Sequence, residues 1–235
     1  METCTTQQSV PSAQSRIAAP LHTILVLAAI AAYSLSGRLR SVETQSVVSI
    51  NHVALYERTL LFEWLLLAFV FVGVRLHGSS LHTVMGQRWQ SALQILRDIG
   101  IGAAFFVITT LLASTIGPHF GGGTPDKVLH LMLPDGPLEK VLWLAVSITA
   151  GICEEAIYRG YLQRQFTALT RNRSAGIALS AACFGAVHAY QGFRMMIQIA
   201  LLGVLLGLLA DWRKTTRPGM ISHAIQDSLV IFIRR

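Results

Sequence analysis

The chain has 235 residues, of which 52% are hydrophobic and only 13% charged, and its formal net charge is +7. A typical soluble domain carries about 25% charged residues, so this chain has too few polar side chains to cover a globular surface, and a multi-pass membrane protein is the class that fits. The cationic excess suits loops that face anionic headgroups, and the absence of a basic stripe with interleaved aromatics argues against a nucleic-acid partner.

Taken in chain order, residues 1–20 are small and polar and read as a disordered tail. The first helix is expected over 21–35, with Arg16 before it and Arg38 and Arg40 after it. A cleaved signal peptide fits less well, because the region before the apolar stretch is long and weakly basic. Residues 41–58 read as a polar linker. Further helices are expected over Thr59–Leu76, Leu96–Ile116, Leu138–Phe166, Ser174–Ala189, Phe193–Trp212 and Met220–Ile233. The Gly- and Pro-rich stretch 117–140 reads as a loop, with a short interfacial turn near 128–133. Its Gly121–Gly123 run follows no strand and carries no Gly-Lys-Ser, which argues against a phosphate cradle. Gly203 and Gly207 would let another helix approach closely.

The expected architecture is all-α, a multi-pass transmembrane helical bundle with about seven spans. N-terminal membrane helices and loops occupy 21–137, and a core occupies 138–233. With the N-terminus inside, ten Lys/Arg fall on inner segments (Arg16, Arg75, Arg88, Arg97, Arg164, Arg171, Arg173, Arg213, Lys214, Arg217) and eight on outer ones, so the positive-inside rule favours that orientation by a narrow margin. Cys4, Cys153 and Cys183 form no disulfide framework and read as small hydrophobes in helix packing. Trp64, Trp143 and Trp212 read as packing or interfacial anchors. Glu63 reads as a buried polar contact.

An ionisable side chain at mid-bilayer costs about 2.5–3.5 kcal/mol on insertion scales, so those in the last helices need a reason. They fall in three groups. In GICEEAIYRG, Glu155 and Arg159 lie four apart on one helical face and can pair, while Glu154 points elsewhere, with Tyr158. That division suggests a structural carboxylate, Glu155, and a working one, Glu154. Phe184 and His188 form a second i, i+4 pair, and His223 and Asp227 a third. Each pair alone has a bland reading as a hydrogen-bonded or capping contact. Together they place a Glu, two His and an Asp on helices that can converge on one water-filled pocket. Those are the parts of a peptide hydrolase: a carboxylate to take a proton from water, donors for the oxyanion, and an acid for the leaving amine.

Three motifs, E-E-x-x-x-R, F-x-x-x-H and H-x-x-x-N/D, stand here in order as EEAIYR, FGAVH and HAIQD, with 33 residues from Glu155 to His188 and 35 from His188 to His223. In this the chain resembles the CPBP intramembrane endopeptidases, the family of the type II CAAX prenyl proteases, the bacteriocin-processing enzymes and the Abi-like immunity proteins. The resemblance covers about 138–233. It implies a glutamic-type endopeptidase in which Glu154 and His188 activate water, His223 and the residue at 227 stabilise the oxyanion, and Glu155, Arg159 and Phe184 support them. Prenyl-protease members carry Asn where this chain has Asp227. An ionised carboxylate accepts hydrogen bonds and would repel an oxyanion, so Asp227 is either protonated by burial or has a different role, and the favoured reading is that it accepts from His223 and orients it.

The expected partners are a peptide or membrane-protein substrate and the lipid bilayer, with the bacterial plasma membrane as the default location. Whether the substrate is prenylated, and the oligomeric state, are not legible in the sequence. No cofactor is expected. Two alternatives stand beside this reading. One is a metal-dependent protease in which Glu154, His188, His223 and Asp227 hold zinc; it is disfavoured because no H-E-x-x-H is present. The other is a non-catalytic membrane immunity or scaffold protein with the same fold.

Overall fold

The computed structural model describes residues 15–44, 51–116 and 132–233. These form eight helices, and the described residues contain no strand. They are α1 (Pro20–Thr44), α2 (His52–Leu76), the single-turn α3 (His82–Met85), α4 (Ala92–Ile116), α5 (Pro137–Thr170), α6 (Arg173–Val187), α7 (Phe193–Arg213) and α8 (Arg217–Ile233). All seven helices expected from the sequence are present. Five of them, α1, α2, α4, α5 and α7, are long and apolar enough to cross a membrane. α6 and α8 are shorter, at 15 and 17 residues. Leu61, Leu65, Ile108, Leu111 and Leu208 stand more than half exposed, as lipid-facing positions of a membrane bundle do. The protein is an integral membrane helical bundle.

Three boundaries differ from the sequence reading. The stretch read as a linker, 41–58, is mostly helix: α1 runs to Thr44 and α2 starts at His52, where the Asn51 side chain accepts from the Ala54 N–H at 3.0 Å. Long-range bonds fix this early start. His52 pairs with Glu139 at 2.8 Å, and the Tyr56 hydroxyl donates to the Met132 carbonyl at 2.6 Å. Residues 1–14 of the expected tail lie outside the described residues. Ile17 and Ala18, however, are buried, because Gln165 accepts from the Ile17 N–H at 3.0 Å and donates to the Ala18 carbonyl at 2.6 Å. The expected interfacial turn near 128–133 and the Gly121–Gly123 run lie wholly or mostly outside the described residues.

The third difference lies inside α5. Its start follows the sequence rules: Gly136 caps it, Pro137 takes the first turn, and Glu139 complements the dipole. Over Glu155–Leu162, however, it is a π-helix. Hydrogen bonds there run to i+5, one residue wider than the α pattern. All eight of its residues are buried. It can be buried all round only because other helices wrap it. α1 and α2 bring Val26, Val70 and Val74, α3 brings Val84, α6 brings Phe184 and α8 brings Met220, all in one apolar cluster with Ile157, Tyr161 and Leu162. Ser180 donates to the Tyr158 carbonyl at 2.6 Å, tying α6 to this segment.

Two glycines set how closely α8 approaches α5. A Cβ on Gly151 would meet the Met220 carbonyl at 2.7 Å, and one on Gly219 would meet Glu155 Oε2 at 2.9 Å. Hydrogen spacing at those places leaves no room for a side chain, so α8 lies directly over Glu155. Gly203 and Gly207 serve the role expected of them, against Ala181 and Arg159 and against Gln163 and Ile177 respectively. Cys153 and Cys183 are free thiols within the packing, as expected; Cys4 lies outside the described residues.

Candidate active site

α5, α6 and α8 bring the three motifs together. His223 of α8 stands at the centre. Its Nδ1 donates to Glu155 Oε1 at 3.3 Å, and its Nε2 lies 3.4 Å from Asp227 Oδ2 and 3.6 Å from Glu154 Oε2. Arg159 Nη1 donates to the same Glu155 Oε1 at 2.8 Å. Glu155 is thus held from two sides.

Burial separates the two glutamates. The Glu155 and Arg159 side chains are 0% and 1% exposed, whereas Glu154 is 20% and Asp227 33% exposed. Glu155 is sealed under Gly219 and spent on Arg159 and His223. Glu154 makes no hydrogen bond within the described residues and keeps an opening to the outside of the fold. The widened helix does not disturb the Glu155–Arg159 pairing expected of an α-helix. It does change what surrounds it, since the π segment presents every residue to protein.

Phe184 is the hub of the apolar wall. Its ring meets those of Tyr158, His188 and His223 edge-on, with centroids 5.0, 5.1 and 5.9 Å apart, and the Arg159 guanidinium lies 4.2 Å over its face. Such contacts are worth about 0.5–2 kcal/mol each. They fix the direction of both imidazoles. His188 follows the last residue of α6, and its Nδ1 donates to the Phe184 carbonyl at 2.8 Å. That bond leaves Nε2 as the acceptor nitrogen. His188 lies within electrostatic range of Glu154, although the glutamate's nearer imidazole is that of His223. Tyr190, in the short 3₁₀ turn Ala189–Gln191, stacks on the His188 ring at 6.1 Å.

Two neighbours have no motif signal. Trp143 donates from Nε1 to the Asp227 carbonyl at 3.0 Å and packs edge-on against Tyr56. It braces α8 where Asp227 leaves it, a more specific task than the packing read from the sequence. Glu63 of α2 is buried, with Oε2 sealed and without a hydrogen-bond partner. It shares the electrostatic neighbourhood of Glu154, His223 and Asp227, so the buried polar contact read from the sequence adjoins the site itself. An acidic residue in the middle of an apolar helix could have suggested this, but nothing in the spacing ties it to the later motifs.

No three of Glu154, His188, His223 and Asp227 bring ligand atoms within 4.8 Å of one another; among the described residues only His52, Asp135 and Glu139 do so.

The fold and this cluster define a class: a helical membrane protein with carboxylates, imidazoles and one arginine gathered inside the bundle. Residues 137–229 match the model of the Rce1-like family, described as type II CAAX prenyl endopeptidase Rce1-like. The matched region runs from the start of α5 almost to the end of α8 and contains all three motifs, so this part of the chain is similar to the CAAX-type endopeptidases. Neither the curated proteins nor the solved structures give a match to the chain.

Proposed function

We propose that the protein is an intramembrane glutamic-type endopeptidase that hydrolyses peptide bonds of membrane-associated or lipid-modified substrates without a metal. The observation that carries this reading is the contrast between adjacent glutamates. Glu155 is sealed and bound by Arg159, while Glu154 is partly open and has no hydrogen bond of its own. A free carboxylate beside two imidazoles is the arrangement that general-base catalysis needs.

In this mechanism Glu154, helped by the acceptor nitrogen of His188, takes a proton from water. The water oxygen adds to the scissile carbonyl carbon. The oxyanion that forms accepts a hydrogen bond from the Nε2–H of His223, an imidazolium whose Nδ1–H goes to Glu155, so that Nε2–H is shared between Asp227 and the oxyanion. The C–N bond then breaks and the Glu154 carboxyl returns its proton to the leaving amine. A carboxyl and an amine terminus result, and Glu154 is ionised again. Asp227 accepts from His223 and orients it. Glu155 holds the opposite ring nitrogen, so the imidazole has a fixed axis.

Comparison of membrane-protein N-termini by mass spectrometry tests this. Cells express the wild type or Glu154→Ala at matched levels. Termini present with the wild type and lost with the variant are the expected result, and they name the substrates. Identical termini, with both proteins folded, refute the reading and favour a non-catalytic immunity or scaffold role.

A further inference from the structure

A cavity of about 100 Å³ lies at the end of the bundle away from α5's start, among the C-terminal part of α5, the start of α6 and the α7–α8 connection. That is room for several waters or one compact anion. Four cationic side chains line it, Arg159, Arg164, Arg173 and Lys214, against one carboxylate, Asp211. Lys214 holds that carboxylate at 3.0 Å. Arg164 and Arg173 form no ion pair or side-chain hydrogen bond with any described residue.

The innermost wall gives the independent sign. Arg159 is 2% exposed, and while Nη1 binds Glu155, its Nη2 is sealed from solvent without a partner. A buried guanidinium donor left unmade is costly, and here it belongs to a residue that lines a cation-rich cavity. Thr216, also on the wall, immediately precedes α8. The positive end of a 17-residue helix therefore adds to the field. The connection before α4 closes the same end: Thr215 donates to the Met85 carbonyl at 3.2 Å and Arg217 to the Gly86 carbonyl at 3.4 Å. This is the face on which the inner Lys/Arg of the sequence reading gather.

We propose that this cavity is a binding site for a phosphate-class anion, held by Arg164 and Arg173 at its mouth, with the buried charge of Arg159 adding to the field from its inner wall. Planar guanidinium forks match tetrahedral oxyanions bidentately, and basic pockets between membrane helices on this kind of face take lipid headgroups. The phosphate can come from a lipid headgroup or from free phosphate in solution. The site does not depend on the protease reading.

Native mass spectrometry of the purified full-length chain in detergent tests it. The probes are short-chain phosphatidylglycerol, the diacylglycerol of the same chains, and inorganic phosphate. The variants are Arg164→Gln/Arg173→Gln and, as a control, Arg171→Gln, which is exposed and outside the cavity wall. Melting temperature checks that each is folded; neither mouth arginine is buried. The expected result is phosphate-dependent binding that weakens at least about ten-fold in the double variant and not in the control. Phosphatidylglycerol outcompeting free phosphate identifies a headgroup site; equal binding identifies a free-anion site. Equal binding by wild type and double variant, equal retention of the diacylglycerol, or retention of neither phosphate probe overturns the proposal.

Discussion

Adjacent glutamates with opposite tasks should respond oppositely to the same substitution. Glu155→Gln removes the charge that balances Arg159, whose side chain is 1% exposed, and loosens the contact to His223 at 3.3 Å. Breaking a buried pair from one side costs about 3–5 kcal/mol, since the partner charge stays buried and uncompensated. At 1.4 kcal/mol per factor of ten, the unfolding constant rises by about 10²–10⁴. Glu154→Gln keeps the side chain's shape and removes only the charge of a group that is 20% exposed and whose nearest charged contact is 3.6 Å away, so its cost should stay below about 1 kcal/mol. Cleavage behaves the other way. Loss of a general base lowers the rate by about 10²–10⁴, and Glu154→Gln should do this in a protein of nearly wild-type stability. Unfolding in mixed detergent–SDS micelles measures the first quantity, and the yield of new N-termini in membranes the second. Equal destabilisation by the two variants, or a stable and active Glu154→Gln, would refute the division.

Gly219→Ala should destabilise by about 1–3 kcal/mol in the same unfolding assay, because its Cβ would stand 2.9 Å from Glu155 Oε2 in a packed core; a neutral result would mean α8 can lift off α5. Asp227→Asn should keep much of the cleavage yield, since the amide oxygen still accepts from His223; an inactive variant would point to a task only a carboxylate can perform. Glu63→Met should leave stability unchanged or raise it by about 1–3 kcal/mol, as it removes a sealed oxygen with no partner; a loss of more than about 1 kcal/mol would reveal a partner that holds the carboxyl group.

The helices were legible because apolar length is a strong signal in a bilayer, and the site motifs because a charge inside such a helix needs a reason. Helix positions i and i+4 face together in either helix type here, so the Glu155–Arg159 pair was readable without knowing the local geometry. The widening over Glu155–Leu162 was not. It is set by contacts from five other helices, and the segment EAIYRGYL carries no local mark of it. The start of α2 was missed for a similar reason: His52 and Tyr56 look like linker residues until Glu139 and Met132 are beside them. Glu63 and the cationic cavity depend on which helices become neighbours, and spacing along the chain does not encode that.

The family match begins at residue 137, yet the matched region does not enclose its own centre. Tyr161 is fully buried because α1 lies across it, with its hydroxyl 3.0 Å from Thr23 Oγ1 and 2.8 Å from His22 Nδ1. Gln165, also fully buried, is satisfied by Ile17, Ala18 and Thr23. α2 supplies Leu66, Val70 and Val74 to the same cluster and Glu63 to the edge of the site. Without α1 and α2, α5 would expose the Tyr161 and Gln165 polar groups to lipid, where an unsatisfied group costs several kcal/mol. The N-terminal helices are therefore part of the site's construction: they cover the polar stretch of α5 that follows Glu155, so that it can lie inside a bilayer.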